Sequence, residues 1–235
     1  MITLRLRSRD IMKRMLAISD VHGKIEEFEL LLEKANYNAS RDQLILVGDY
    51  VDRGPDSRAV LNRVMELKAE GAIVLRGNHD DMMVAAYHNE PGALARWEKN
   101  GALYTLQCYD STIKDMTMPD SEAFHDHVTF LENLDYYYET DDYIFVHAGV
   151  DPKRTVEDTD PYDLVWIRDE FHQNYSGTKT VVFGHTPTPM LNNIYSDHTV
   201  YFGENNIIGI DGGAVFGGQL NCLELPSKKV YSIKG

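Results

Sequence analysis

Short apolar runs alternate with segments of helical period along the first third of the chain. Met15 to Ser19 reads as a buried strand, and Ile25, Phe28, Leu31 and Leu32 then recur at helical spacing. Gln43 to Val47 is the next apolar run. Ala59, Val60, Val64 and Leu67 mark a second helix beyond the turn at Gly54 and Pro55, and Ala72 to Leu75 returns to a strand. Crossovers of this kind preserve strand direction, so three parallel strands would deliver Asp20, Asp49 and Asn78 to one sheet edge. Asp20 to Asp49 and Asp49 to Asn78 are each 29 residues, about one strand-helix-strand unit, with repeated topology and no sequence repeat.

The pattern changes over residues 82 to 139. Met82, Met83, Ala85, Ala86 and Tyr87 suggest a helix, and Leu94, Trp97, Leu103, Tyr104 and Leu106 add apolar points around a turn at Asn100 and Gly101. The segment reads as a mostly helical excursion near the site. Tyr136 to Tyr138 reads as core packing with alternate rings turned inward. Tyr143 to Val146, Thr180 to Phe183 and Ile207 to Ile210 resume the strand pattern, and Gln219 to Leu225 with Lys229 to Ile233 predicts a hairpin around Pro226 and Ser227. The second half therefore supplies more sheet, packed as a second layer on the first.

The 235 residues fit one compact domain, 1–235, that buries a core without metal or disulfide staples, so any bound metal is expected to be chemical. Residues 1–11 lie ahead of Met12 and read as an N-terminal extension or a misplaced start. Arg5, Arg7 and Arg9 are not followed by an export-type apolar region. No apolar run approaches the length of a membrane span. A formal net charge of −14 opposes general binding to nucleic acid or an anionic membrane. A phosphorylated substrate meets the same repulsion, so cations at the site must overcome it. Cys108 and Cys222 are far apart and outside any metal spacing, which points to a reducing compartment, with the cytoplasm as the expectation. Oligomeric state is open at this level.

The chemistry concentrates in three stretches: ISDVHG at 18–23, LVGDYVDRG at 46–54 and LRGNHD at 75–80. Each follows an apolar run and carries ligands for a hard divalent ion. Asp20 and His22, two residues apart, can point to the same side of an extended backbone. Asp49 has two carboxylate oxygens with which to bridge two ions. Asn78 offers an amide oxygen, and His147 and His185 follow later apolar strands, completing a second oxygen and nitrogen site. With no cysteine ligand, such a set suits two divalent ions, manganese first, with iron or zinc as alternatives. Two such ions about 3.5–4 Å apart polarise a phosphoryl group and activate water, so metal-bound hydroxide can attack with no side-chain nucleophile. In the same loops Arg53 can grip phosphate bidentately, Asp52 can orient His79, and His79 can protonate the leaving oxygen.

Each residue alone has a plainer reading. Asp20 with His22 would be a helix cap and a surface histidine, His147 a satisfied core histidine, His185 a turn marker and Arg53 a solvated loop charge. It is their joint occurrence after successive strands that favours metal and phosphate. Asp80 reads as the cap of the helix near Met82 before it reads as a tuner of His79. His88, His125, His127, His172 and His198 lack the strand-end setting.

Taken together, ISDVHG, GDYVDRG, GNHD, FVHAG and FGHT resemble the metallophosphoesterase superfamily, and within it the serine/threonine phosphoprotein phosphatases. That family includes bacterial members and symmetrical diadenosine tetraphosphate hydrolases, and the likeness runs from about Asp20 to Asp211. The resemblance implies a four-layer α/β/β/α fold. It also implies Asp20, His22 and Asp49 on one metal, and Asp49, Asn78, His147 and His185 on the other. Asp52 with His79 would be the acid pair, and Arg53 with Arg168, in VWIRDEF, the phosphate clamps. Asp211, in IIGIDGGAVFGG, would be a supporting polar group. GNHD and HAG stand where eukaryotic protein phosphatases carry GNHE and HGG, whereas DRG retains the aspartate that the dinucleotide hydrolases commonly replace with alanine.

These features predict hydrolysis of a phosphomonoester, a phosphorylated protein before a small phosphoester. Dinucleoside polyphosphate cleavage is the first alternative, and a non-catalytic metal-binding regulator the second.

Overall fold

A computed structural model describes residues 14–235. The expected extension at 1–11 lies outside the described residues. One sheet holds β1 (Arg14–Ile18), β2 (Asp42–Leu46) and β3 (Ile73–Val74) in parallel. The other holds β4 (Tyr137–Glu139), β5 (Tyr143–Val146), β6 (Thr180–Phe183), β7 (Tyr201–Phe202) and β8 (Ile207–Gly209) in the order β4-β5-β6-β8-β7. The terminal hairpin, β9 (Gln219–Leu225) and β10 (Lys229–Lys234), returns to the first sheet, where β9 lies antiparallel to β1.

Strand alternation divides the apolar residues into three cores. Met15, Ala17, Ile45 and Val47 meet Phe145, Val182 and Ile208 from the other sheet, and this is the layer between the sheets. Leu16, Ile18, Leu44 and Leu46 point the other way, onto the buried Phe28 and Leu31 of α1 (Ile25–Lys34) and Val60 and Val64 of α2 (Ser57–Ala69). Ile144, Val146, Val181 and Phe183 face Leu164 of α7 (Pro161–Trp166) and Phe171 of α8 (Asp169–Asn174). Three interlayer cores make the four layers α/β/β/α. Burying one such side chain contributes about 1.5–3 kcal/mol.

The excursion folds as α3 (Asn78–Tyr87), α4 (Ala93–Lys99), α5 (Ala102–Gln107) and α6 (Glu122–Glu132). It ends earlier than the expected 139, because Tyr137–Glu139 forms the antiparallel edge strand β4 against β5. The three tyrosines pack on cores as expected but do not alternate strictly: Tyr138 packs on the core between the sheets, whereas Tyr136 and Tyr137 both pack on the outer one. A single turn, α9 (Thr188–Leu191), follows β6. No helix among the described residues is long and apolar enough to cross a membrane.

His127 of α6 is structural. Its Nε2 donates to Asn62 Oδ1 at 3.0 Å, leaving Nδ1 to accept from the Tyr109 hydroxyl at 2.5 Å. Burial, helped by the charge of Arg58, lowers its pKa to about 4 from 6.5. The folded chain therefore binds this proton less readily than the unfolded one. Its stabilising contribution is complete above pH 6.5 and is lost as pH falls towards 4. Denaturant melts between these pH values should show a loss of about 1 kcal/mol from this site, absent in His127→Gln.

Candidate metal and phosphate site

The register of the parallel strands sets the site. Ile18 lies opposite Leu46, and Leu46 opposite Val74, so the loops that follow leave the same edge together. They then bind one another: Asp20 N donates to Gly48 O at 3.1 Å and His22 N to Asp49 O at 3.0 Å. From the second sheet, His147 and His185 follow β5 and β6. His185 N donates to Asp20 Oδ2 at 3.0 Å, and Ser19 Oγ reaches the same oxygen at 2.5 Å. All six residues expected to bind metal converge, and each is buried.

Several of the converging atoms turn lone pairs towards one another, although Arg53 Nη1 lies 3.1 Å from His22 Nε2 and can donate to it. Nδ1 of His147 is 2.9 Å from Val47 O, and Nδ1 of His22 is 2.7 Å from Val51 O. A carbonyl only accepts, so each Nδ1 carries the proton and each Nε2 of a neutral ring presents a lone pair. His147 Nε2 nevertheless lies 2.9 Å from Asn78 Oδ1 and 3.4 Å from Asp49 Oδ2, and His22 Nε2 lies 3.5 Å from Asp49 Oδ2. His185 Nδ1 is also 2.9 Å from Asn78 Oδ1, while its buried Nε2 has no hydrogen-bond partner. Lone pairs aimed at lone pairs fit a divalent ion on oxygen and imidazole donors.

The protein charges tell the same story. Burial lowers the pKa of His147, but Asp49 beside it overrides this and raises it to about 9. Burial raises the Asp20 carboxyl to about 6 against the pull of His147, and lowers His22 to about 3. Asp49 thus draws positive charge towards itself, the charge that a cation held among these donors would supply. Asp20, Asp49 and His147 offer ligand atoms within 4.8 Å of one another. His22, Asp49 and His79 meet the same limit, which adds His79 to the geometric candidates for a ligand.

Holding these loops strains the backbone. Asp20, His22, Asp49, Asp52, Arg53 and His185 all have left-handed φ, between 43° and 72°. Each such residue costs about 1 kcal/mol or more and persists only where its surroundings over-determine it. Asp80 is one such surrounding: its carboxylate accepts from Gly77 N at 2.9 Å, Asp49 N at 2.8 Å and Tyr50 N at 3.0 Å. It therefore caps α3 and also clamps the Asp49 loop, rather than touching His79. Gly77 is another, since a Cβ there would lie 2.2 Å from Asp49 Oδ1.

Asp52 is wholly buried and accepts from His79 Nδ1 at 2.7 Å. Two further donors escape sequence reasoning: Trp97 Nε1, at 2.9 Å from both Asp52 oxygens, and Thr105 Oγ1 at 2.7 Å. They stand on α4 and α5, so the excursion serves the site. The one available signal was a tryptophan in an apolar segment, whose buried N–H needs an acceptor. With Nδ1 held, Nε2 is the atom His79 can use in the pocket.

That pocket, of about 330 Å³, contains Arg53, Arg168, His79 and Asp211 beside the ligand cluster, with Trp166, Pro187, Met190 and Phe216 as an apolar wall. Arg168 donates to Thr186 Oγ1 at 3.0 Å. Asp211 accepts from Gly213 N at 2.8 Å.

Residues 13–218 match the calcineurin-like phosphoesterase family. The chain is 30% identical over 242 residues to the bis(5'-nucleosyl)-tetraphosphatase PrpE [asymmetrical] of Oceanobacillus iheyensis, covering 92% of this chain and 90% of that protein. It is 27% identical to the protein of the same description from Anoxybacillus flavithermus, covering 92% of each. Among solved structures, a candidate diadenosine tetraphosphatase superposes with a TM-score of 0.70 at 23% identity, over 96% of this chain and 95% of that one. A protein serine/threonine phosphatase from Saccharomyces cerevisiae superposes with a TM-score of 0.62 at 14% identity, over 95% and 80%. The chain belongs to the calcineurin-like phosphoesterases.

Proposed function

We propose that this chain hydrolyses a phosphoanhydride of dinucleoside polyphosphates, dividing a tetraphosphate unequally into a nucleoside monophosphate and a nucleoside triphosphate. The carrying observation is a pocket with two guanidinium groups beside the ligand cluster and an apolar, aromatic wall beyond them. That combination suits a phosphate chain ending in a nucleoside. The names of the full-length relatives support the same reading, with asymmetrical cleavage where the motifs resemble symmetrical hydrolases.

Asp20, His22 and Asp49 would hold one divalent ion, and Asp49, Asn78, His147 and His185 a second. When bound, such ions supply Lewis acidity and acidify a water towards hydroxide, with manganese the first choice for these donors and iron or zinc behind it. The remaining work falls to the chain's own groups. Arg53 and Arg168 grip the phosphoryl oxygens and offset the charge that builds on them. Asp52 orients His79, whose Nε2 gives a proton to the leaving oxygen.

A second reading is hydrolysis of phosphoserine or phosphothreonine on protein. The buried Asp52–His79 pair favours it, because an alkoxide needs a proton on leaving and a nucleotide phosphate needs little help. Turnover of diadenosine tetraphosphate and of phosphoserine and phosphothreonine peptides, with manganese, separates the two. We expect kcat/KM to favour the dinucleotide by about tenfold or more. The same margin towards the peptides would reverse the order, and no turnover of any would leave a metal-binding regulator.

A further inference from the structure

A second cleft, of about 650 Å³, adjoins the phosphate pocket and shares Pro187, Met190 and Phe216 with it. Its remaining walls include Pro189, Tyr195 and His198, and no Lys, Arg, Asp or Glu among the described residues lines it. Three of its side chains are large apolar groups left open to solvent: Tyr195 is 95% exposed, Phe216 66% and Met190 63%. A protein of this charge leaves such a patch uncharged at a cost in solubility, and a patch of this kind beside a reactive pocket marks a binding surface.

Phe216 and His198 are set in place rather than merely exposed. Phe216 ends a short 3-10 turn, Ala214–Phe216, bracketed by Gly213 at φ 66° and Gly217 at φ 83°, both left-handed. Gly218 N closes the turn on Gly213 O at 3.0 Å. The Arg53 guanidinium carbon lies 5.2 Å from the centre of the Phe216 ring, so the phosphate clamp and the aromatic wall touch. His198 Nδ1 is 2.9 Å from Gly212 O, so that nitrogen carries the proton and Nε2 is left as an acceptor.

We propose that this cleft is a nucleobase subsite, in which Tyr195, Phe216 and Met190 pack on a purine ring and His198 Nε2 accepts from its exocyclic amine. The proposal rests on the nucleotide reading above and names what that substrate's far end would contact. A flat, uncharged aromatic ring joined to phosphate matches an uncharged aromatic cleft joined to two arginines. The contact would bind the nucleoside without touching the reacting atoms, so it would act on affinity before rate.

The test uses the manganese-loaded full chain, with AMP and ribose 5-phosphate as competitors of para-nitrophenyl phosphate hydrolysis. The two competitors carry the same phosphate and ribose and differ by the base. We expect AMP to compete about tenfold more tightly, an advantage that falls to about threefold or less in a Tyr195→Ala, Phe216→Ala double variant and survives in Tyr195→Phe. Equal inhibition constants for the two in the unmodified chain, or an AMP advantage untouched by the double variant, would overturn the subsite. Those outcomes leave diadenosine tetraphosphate turnover standing. Failure of the nucleotide reading would instead appear as the absence of that turnover.

Discussion

Asp49→Asn is expected to empty the site of metal and to lower kcat/KM by at least about 10³-fold, whichever phosphate substrate is used. Its carboxylate meets three histidines of the site at once. Its Oδ1 accepts from His79 N at 2.8 Å, and its Oδ2 lies within 3.5 Å of both His22 Nε2 and His147 Nε2. Burial opposes its ionisation, yet His147 and His79 hold the carboxyl well below the ordinary range, so it is a standing negative charge. Asparagine keeps the shape and removes the charge on which both proposed ion sites depend. Metal content by plasma mass spectrometry should fall from two ions per chain to fewer than one, with the circular dichroism spectrum retained. A variant that keeps its metal and stays within about tenfold of the parent in kcat/KM would refute the bridging role.

His79→Ala is expected to separate substrates rather than abolish the enzyme. A positioned general acid is worth about 10²- to 10⁴-fold, and that full loss should appear with an alkyl phosphate, whose alkoxide leaves badly. Nitrophenyl phosphate should lose far less, because nitrophenolate leaves without a proton. The same variant decides between the two uses its geometry allows. A histidine whose Nδ1 is held by a carboxylate is oriented equally well to donate a proton or to ligate a metal. Retained metal with an unequal loss supports the acid. Lost metal with equal losses on the two substrates makes His79 a ligand.

Much of this could be read along the chain because the candidate ligands sit directly after apolar runs. A parallel strand delivers its C-terminal residue to a known edge, so Asp20, Asp49 and Asn78 were placed together by strand direction alone. His147 and His185 follow β5 and β6 in the same way, and the periods of the strands were legible enough to give two packed sheets, the four-layer order being what the family resemblance implied. The short edge strands β4 and β7 were missed. Both lack the buried apolar run that marks the equally short β3 and β8, and in both cases the pairing partner is what makes the segment a strand.

What sequence alone determined, then, was the order of strands and helices, the donors at their ends and the family of chemistry those donors permit, since each depends on neighbours a few residues apart. Only the tertiary structure decided how Asp52 is held. Trp97 and Thr105 stand 45 and 53 residues away from it and reach it across helices whose packing no local period encodes. The left-handed backbone at six site residues was equally invisible, because their conformation is imposed by the loops closing on one another. The aromatic cleft shared by Met190, Tyr195 and Phe216 was likewise unreadable, because it joins two segments that approach only when the second sheet is complete.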